Sequence, residues 1–438
     1  MATVVWFRRD LRLGDHAALA AAGTDPVVGL FVLDPALLAT AGPIRSARLS
    51  GSLRELATDI AAAGGRLVLR SGDPRLVVPA VAAEAEAERV LVSGDFAPYG
   101  LRRDREVAAS LATAGRVLRS CDTPYLQAPG TVTKGDGSAF SVFTPFHRAW
   151  SALPAPAPVD AIPRWRDDLP GEPVPIGGAD DGVGEAAALA ALDRFVDGRG
   201  ADYDTARNRP DLAGTSGLSA ALRFGEIHPR TIVAAAAHLP GFVRQLCWRD
   251  FYADVLFRRP DAAWRNVDRR FDALPWTDDD EAFRLWCEGR TGFPMVDAGM
   301  RQLARDGWMH NRSRMVVASF LTKDLLIPWQ RGARWFLAHL RDGDIANNSL
   351  GWQWTAGTGM DPAPFHRVFN PVLQGLRFDP DGDYVREFVP ELRHLAGPAV
   401  HEPWDHADGY AHGYPARMVD HREARVAALA AFADIRGR

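Results

Sequence analysis

The sequence predicts two architectures in one chain: an α/β doubly wound parallel-sheet domain at the N-terminus and an all-α domain in the C-terminal half. Three observations carry this. Short, continuously apolar runs alternate with alanine-rich helical segments over residues 1–125, the pattern of strands buried on both faces and joined by crossover helices. A proline- and glycine-rich connection spans residues 126–184. From residue 185 to 438 the alanine, leucine and arginine pattern is helical, with little strand-like alternation. The 438 residues also exceed what one hydrophobic core usually organises, so two domains are expected.

Taken in order, Val4-Val5-Trp6-Phe7, Val27 to Leu33, Leu67-Val68-Leu69, Val90-Leu91-Val92 and Val117-Leu118 read as strands. Ala17 to Ala22, Ser52 to Ala63 and Val77 to Ala87 read as the intervening helices. Sheets of this kind take ligands beyond the carboxyl ends of their strands. No GxGxxG follows the first run, which excludes the usual dinucleotide cradle from this half. The connection carries prolines at 129, 145, 154, 156, 158, 163, 170, 173 and 175, the composition of a linker.

Charge bounds the partners. With 51 basic and 55 acidic residues the net charge is −4, so any contact with nucleic acid has to come from a local patch. Lys134 and Lys323 are the only lysines, and the abundant arginines suit phosphate geometry, although a GC-rich coding bias gives the same composition. Cys121, Cys247 and Cys287 are few, odd in number and far apart, which suggests neither a disulfide framework nor a metal site. A reducing, cytoplasmic setting is expected, with no signal peptide and no membrane span.

Several clusters stand out in the helical half. Tyr203 and Arg207 precede Gly214-Thr215-Ser216-Gly217-Leu218-Ser219, where hydroxyls and free N–H groups at a helix start suit either a diphosphate or ordinary capping. Gln245, Trp248 and Arg249 share one helical face. Trp308, Asn311, Arg314 and Met315 share another, mixing an aromatic, an amide, a cation and a thioether as a pocket wall does and a core stripe does not. Trp352 and Trp354, two positions apart, point to different neighbourhoods. Asp342 and Asp344 read by themselves as a metal or acid/base pair, and Trp276, Trp329 and Trp352 as core indoles.

An ordered set of motifs now identifies the chain by resemblance. Trp6-Phe7-Arg8-Arg9-Asp10-Leu11-Arg12-Leu13, Met300-Arg301-Gln302-Leu303, Gly307 through Met315, Gly351-Trp352-Gln353-Trp354 and His401-Glu402-Pro403-Trp404 resemble the DNA photolyase and cryptochrome family over nearly the whole chain. The resemblance implies a helical FAD-binding domain. Its cofactor contacts fall on Tyr203, Thr215, Ser216, Gly217, Leu218, Ser219, Phe242, Arg249, Trp308, Asn311, Arg314, Asp342, Asp344 and Asn348, the last opposite the flavin N5. It assigns Gln245, Trp248, Asn311, Met315, Trp354 and Asn348 to the reaction cavity, and Trp276, Trp329 and Trp352 to an electron path. Arg207, Arg312 and Arg367 match phosphate-facing positions.

The resemblance further implies an antenna chromophore near Asp34, Arg45 and Asp95. A deazaflavin is favoured over methenyltetrahydrofolate, because Pro98-Tyr99-Gly100 stands where folate-binding relatives carry an acidic side chain. Two departures bear on activity: Gln245 replaces a frequent glutamate and Phe242 a frequent tryptophan. Asn311 and Met315 stand where enzymes of (6-4) photoproducts carry histidines. The expectation is a monomeric, metal-free, light-dependent lyase of cyclobutane pyrimidine dimers in ultraviolet-damaged DNA; the alternative is a cryptochrome-like blue-light receptor signalling through a protein partner.

Overall fold

The computed structural model describes residues 1–175, 182–364 and 367–436; residues 176–181 of the expected connection lie outside them. Internal contacts divide the chain into two compact units, Met1–Ala201 with Ser216–Pro260, and Asp202–Thr215 with Asp261–Arg438.

The first unit is built on a parallel sheet of β1 (Ala2–Phe7), β2 (Pro26–Leu33), β3 (Leu67–Ser71), β4 (Ala87–Ser93) and β5 (Val117–Asp122) in the order β3-β2-β1-β4-β5. A two-residue β6 (Arg164–Trp165) pairs beside Pro26 and Val27 of β2. Register is set at Val5, which lies opposite Gly29 of β2 on one side and Leu91 of β4 on the other. Every residue of β1 is buried, as a strand covered on both faces requires. Helices Ala17–Ala22, Pro43–Ala62, Pro74–Glu84 and Pro98–Thr113 supply the crossovers. Asp73 shows why one starts where it does: its carboxylate accepts from the Arg75 N–H at 2.9 Å while Pro74 supplies a preset φ at the first helical position. Two expected bounds move. The helix read from Ser52 begins at Pro43, and the one read to Ala87 stops at Glu84, leaving Ala87 to open β4.

The grouping by contacts is not the linear one read from composition, because buried polar pairs tie residues 216–260 to the sheet. Arg230 is gripped by Asp15 at 2.8 Å and Asp122 at 2.9 Å. Arg48 pairs with Glu226, Asp254 accepts from the Gly130 N–H at 2.6 Å, and Asp250 accepts from Gln127 N–H and the Trp150 indole. Gly225 adopts φ +70°, and a Cβ there would lie 1.9 Å from the Arg9 carbonyl oxygen, so only glycine permits this approach.

The second unit is helical, with its core around Trp286, Phe293, Met300, Leu303, Phe320 and Trp329. No strand occurs among the described residues after Trp165. No described helix is long and apolar enough to cross a membrane.

Candidate functional site

Within the second unit the chemistry gathers around the helix Asn311–Ser319. Gly307, at φ +60°, closes the preceding helix Pro294–Asp306, and the His310 imidazole caps the next by accepting from Arg312 N–H at 3.2 Å. Trp308 therefore sits in the connecting turn, half-buried, and not on the helical face expected for it: the left-handed glycine breaks the helix that spacing alone continued. Asn311, Arg314 and Met315 do share that face, with the Asn311 amide 3.8 Å from the Met315 sulfur.

Arg314 donates to the Met309 carbonyl at 2.7 Å and to Asp342 Oδ2 at 2.9 Å. Asp342 Oδ1 is buried and has no hydrogen-bond partner among the described residues, a costly state for a carboxylate oxygen. Asp344 caps the helix Ile345–Ala356, accepting from Asn347 N–H at 3.0 Å and from the Asn347 amide at 2.8 Å. Asn348 is the buried one of the two asparagines, its amide donating to the Ala333 carbonyl at 3.0 Å. Trp352 lies in the core against Trp286 and Phe336, whereas Trp354 is half-buried, so the two indoles do serve different surroundings. Trp329 is fully buried with its indole donating to Asn266 at 2.8 Å; Trp276 is half-buried against the patch of Phe271, Leu274 and Phe432.

A cationic group adjoins the other side of that helix. Arg312 donates to Asn208 at 2.6 Å and lies over the Phe378 ring at 4.1 Å, with Arg377 over the same ring at 5.1 Å. Burial first, then the charges of Arg377, Arg207 and Arg367, push the Arg312 guanidinium down to about 10. Three of these arginines were assigned from sequence. Arg377 was missed, and its signal was an arginine next to an aromatic at the end of a short helix, Pro371–Phe378. Tyr203 is buried under the Arg207 guanidinium at 5.3 Å. Gly214 admits no side chain, because a Cβ would meet the Ala206 carbonyl oxygen at 2.7 Å; Thr215 beside it is half-buried.

In the first unit, Gly217 takes φ +71° and Leu218 stands at the start of the helix Ser219–Phe224, whose first turn no side chain caps. Ser216 Oγ accepts from Leu218 N–H at 3.4 Å. Phe242 packs in the core at 4.7 Å from Phe195. Arg249 is buried, donating to the Pro124 carbonyl at 2.6 Å and the Leu222 carbonyl at 3.2 Å beneath the Tyr125 ring. Gln245 turns its amide onto the Gly241 carbonyl at 3.1 Å, and Trp248 is half-buried and stacked on Phe143.

At the carboxyl edge of the sheet, a cavity of about 370 Å³ is lined by Asp34, Asp73, Arg75, Tyr99, Arg102 and Arg103, among others. Tyr99 donates its hydroxyl to Asp34, which raises the phenol to about 12, chiefly through burial and then through that bond. Asp95 is not in the lining but pairs with Arg103 at 3.2 Å. Arg45 also lies outside it, donating to the Thr40 carbonyl at 2.7 Å. Among the described residues no group of three or more His, Cys, Asp or Glu is placed to hold a metal ion.

Residues 3–163 match the model of the DNA photolyase domain, and residues 242–434 match that of the FAD binding domain of DNA photolyase. The deoxyribodipyrimidine photo-lyase of Synechococcus sp. is 42% identical over 95% of this chain and 93% of its own length. A bacterial class III photolyase from Agrobacterium tumefaciens superposes with a TM-score of 0.93 at 38% identity, over 100% of this chain and 98% of that one. The Synechocystis sp. PCC6803 cryptochrome follows at 0.88 and 29%, over 98% and 99%. Full-length likeness at this identity, together with both domain matches, places the chain in the DNA photolyase family.

Proposed function

We propose that the protein repairs cyclobutane pyrimidine dimers in DNA under light, with FAD as its working cofactor. The observation that carries this reading is the division of labour on the helix Asn311–Ser319: Arg312 adjoins a cluster of guanidiniums, while Arg314 is locked to a carboxylate whose second oxygen still lacks a donor. The first arrangement suits a polyanion, and the second suits a cofactor rich in N–H and hydroxyl groups. The unpartnered Asp342 Oδ1 fits FAD, which would bring it a donor. When bound, FAD supplies the light-driven electron that opens the dimer.

The chain's own residues hold and orient. Arg207, Arg312, Arg367 and Arg377 take the phosphates, which makes binding depend on salt. Photolyases are among the enzymes that turn a base out of the stack, at a cost of a few kcal/mol. Stacking on half-buried indoles such as Trp248 and Trp354 returns roughly 1–3 kcal/mol per base. Asn348 is fixed by its bond to Ala333 and presents one orientation of its amide. Gln245 offers the dimer a neutral amide. Trp276, Trp329 and Trp352 serve as the path that recharges the cofactor. The cavity beside Tyr99 takes a second chromophore, for which a deazaflavin is favoured, and the protein acts as a cytoplasmic monomer.

The experiment is direct. FAD-loaded, reduced protein is mixed with an oligonucleotide carrying one dimer and split between blue light and darkness. Repair confined to the illuminated half is expected; equal dimer counts in both halves overturn the proposal. The absorption spectrum of the extracted chromophores identifies the antenna.

A further inference from the structure

The strongest unassigned geometry lies behind Trp248. Phe143 opens the helix Phe143–Ala152 and is 2% exposed. Its ring lies 3.6 Å from the Trp248 ring, centroid to centroid, with only 6° between the planes. Among the described residues the other rings against Trp248 are Phe251, edge-on at 5.8 Å, and Tyr252, tilted at 5.4 Å, and both come from its own helix, Pro240–Arg258. Phe143 is thus the stacked partner that reaches the indole from a different element.

Phe143 is itself braced. Phe251 meets it edge-on at 5.8 Å, His147 stands 5.7 Å away, and the Arg244 guanidinium lies over its ring at 5.4 Å. Trp150, two turns further along the Phe143 helix, donates its indole N–H to Asp250 at 2.8 Å and pins that helix to the one bearing Trp248. A nearly parallel pair at this spacing has the geometry of base on base, not the offset or edge-to-face contact aromatic side chains prefer. One indole face is therefore occupied by Phe143, and Trp248 as a whole is only partly buried.

We propose that Phe143 is a positioning residue for substrate: it holds the Trp248 indole flat so that an extruded dimer completes a three-layer stack of Phe143, Trp248 and base. The inference rests on the reading of Trp248 as a wall of the reaction cavity. Its physical content is preorganisation, since an indole fixed before the ligand arrives loses no rotamer freedom on binding. A ring that only fills core volume would affect folding and leave discrimination of damage untouched.

The test uses the full-length, FAD-loaded protein and measures Kd for an oligonucleotide with one dimer and for its undamaged counterpart, with repair yield at saturating dimer. Phe143→Leu and Phe143→Met keep an apolar side chain of similar reach and remove the ring; Phe143→Tyr keeps the ring. Kd for the dimer should rise about fivefold in Leu and Met variants, with Kd for undamaged DNA, flavin content and saturated yield unchanged. Phe143→Tyr should restore affinity to within about twofold of the parent. Unchanged dimer affinity in the Leu and Met variants, or equal loss on both DNAs, overturns the proposal. Trp248→Ala separates the two readings. If it leaves the preference for dimer intact, the assignment of Trp248 itself fails; if it abolishes the preference while Leu and Met at 143 do not, only the positioning role fails.

Discussion

Arg230 and Arg312 are the same residue in opposite company. Arg230, 6% exposed, holds Asp15 and Asp122 within 3 Å, so its charge is consumed inside the first unit. Arg312 has an amide and an aromatic ring for contacts and three further guanidiniums for electrostatic neighbours. Burial gives both cations a desolvation cost, but carboxylates offset it only at Arg230. The difference teaches that residue type does not fix an arginine's part: Arg230 is buried with two carboxylates for partners, whereas the half-buried Arg312 faces further cations.

The comparison breaks most readily at Arg230. Arg230→Leu removes the cation bonded to Asp15 and Asp122 and leaves Arg12 as the guanidinium still facing both, and a loss of about 3 kcal/mol in urea unfolding is expected; a near-neutral result would place Arg230 among the dispensable cations. Arg312→Gln should do the reverse. Folding is retained, dimer-oligonucleotide binding weakens by about tenfold at physiological salt, and the log–log salt slope falls by about one. Titrations at several salt concentrations check this, and an unchanged slope would remove Arg312 from the phosphate contacts.

Asp250 sharpens the same contrast from the acid side. Burial, opposed by its bonds to Gln127 and Trp150, raises its carboxyl to about 6 from 3.8. The folded state then binds a proton that the unfolded state has already released, so this group's contribution is full below 3.8 and is lost as pH rises through about 6. Asp250→Asn should flatten that part of the stability–pH curve, read from unfolding midpoints; a slope identical to the parent's would count against the buried acid. The smallest effect belongs to Arg284, an exposed residue between Glu281 and Glu288. Arg284→Ala should leave the unfolding curve unchanged within its error, because water already screens such pairs.

Much of the first unit was legible in the chain. The apolar runs at Val4 to Phe7 and Val27 to Leu33 became central strands because a parallel strand covered on both faces admits nothing else. The pairing of Asn311 with Met315 followed from helical spacing. Trp308 did not follow, since spacing cannot see that Gly307 stops one helix and His310 starts another. The affiliation of residues 216–260 with the sheet was also hidden. It depends on partners such as Asp15 and Glu226's Arg48, which lie more than 170 positions away from their mates. Arg377 became visible only where Phe378 brought it beside Arg312.

By itself, the sequence determined the succession of strands and helices, the two architectures and, through its ordered motifs, the family, because periodicity and local turn chemistry act over a few residues. Tertiary structure alone decided which charges are neutralised, that Asp342 keeps an oxygen in reserve, and that Phe143 lies flat against Trp248. Those outcomes depend on distances between residues remote in the chain, and burial converts such distances into energies that no local pattern encodes.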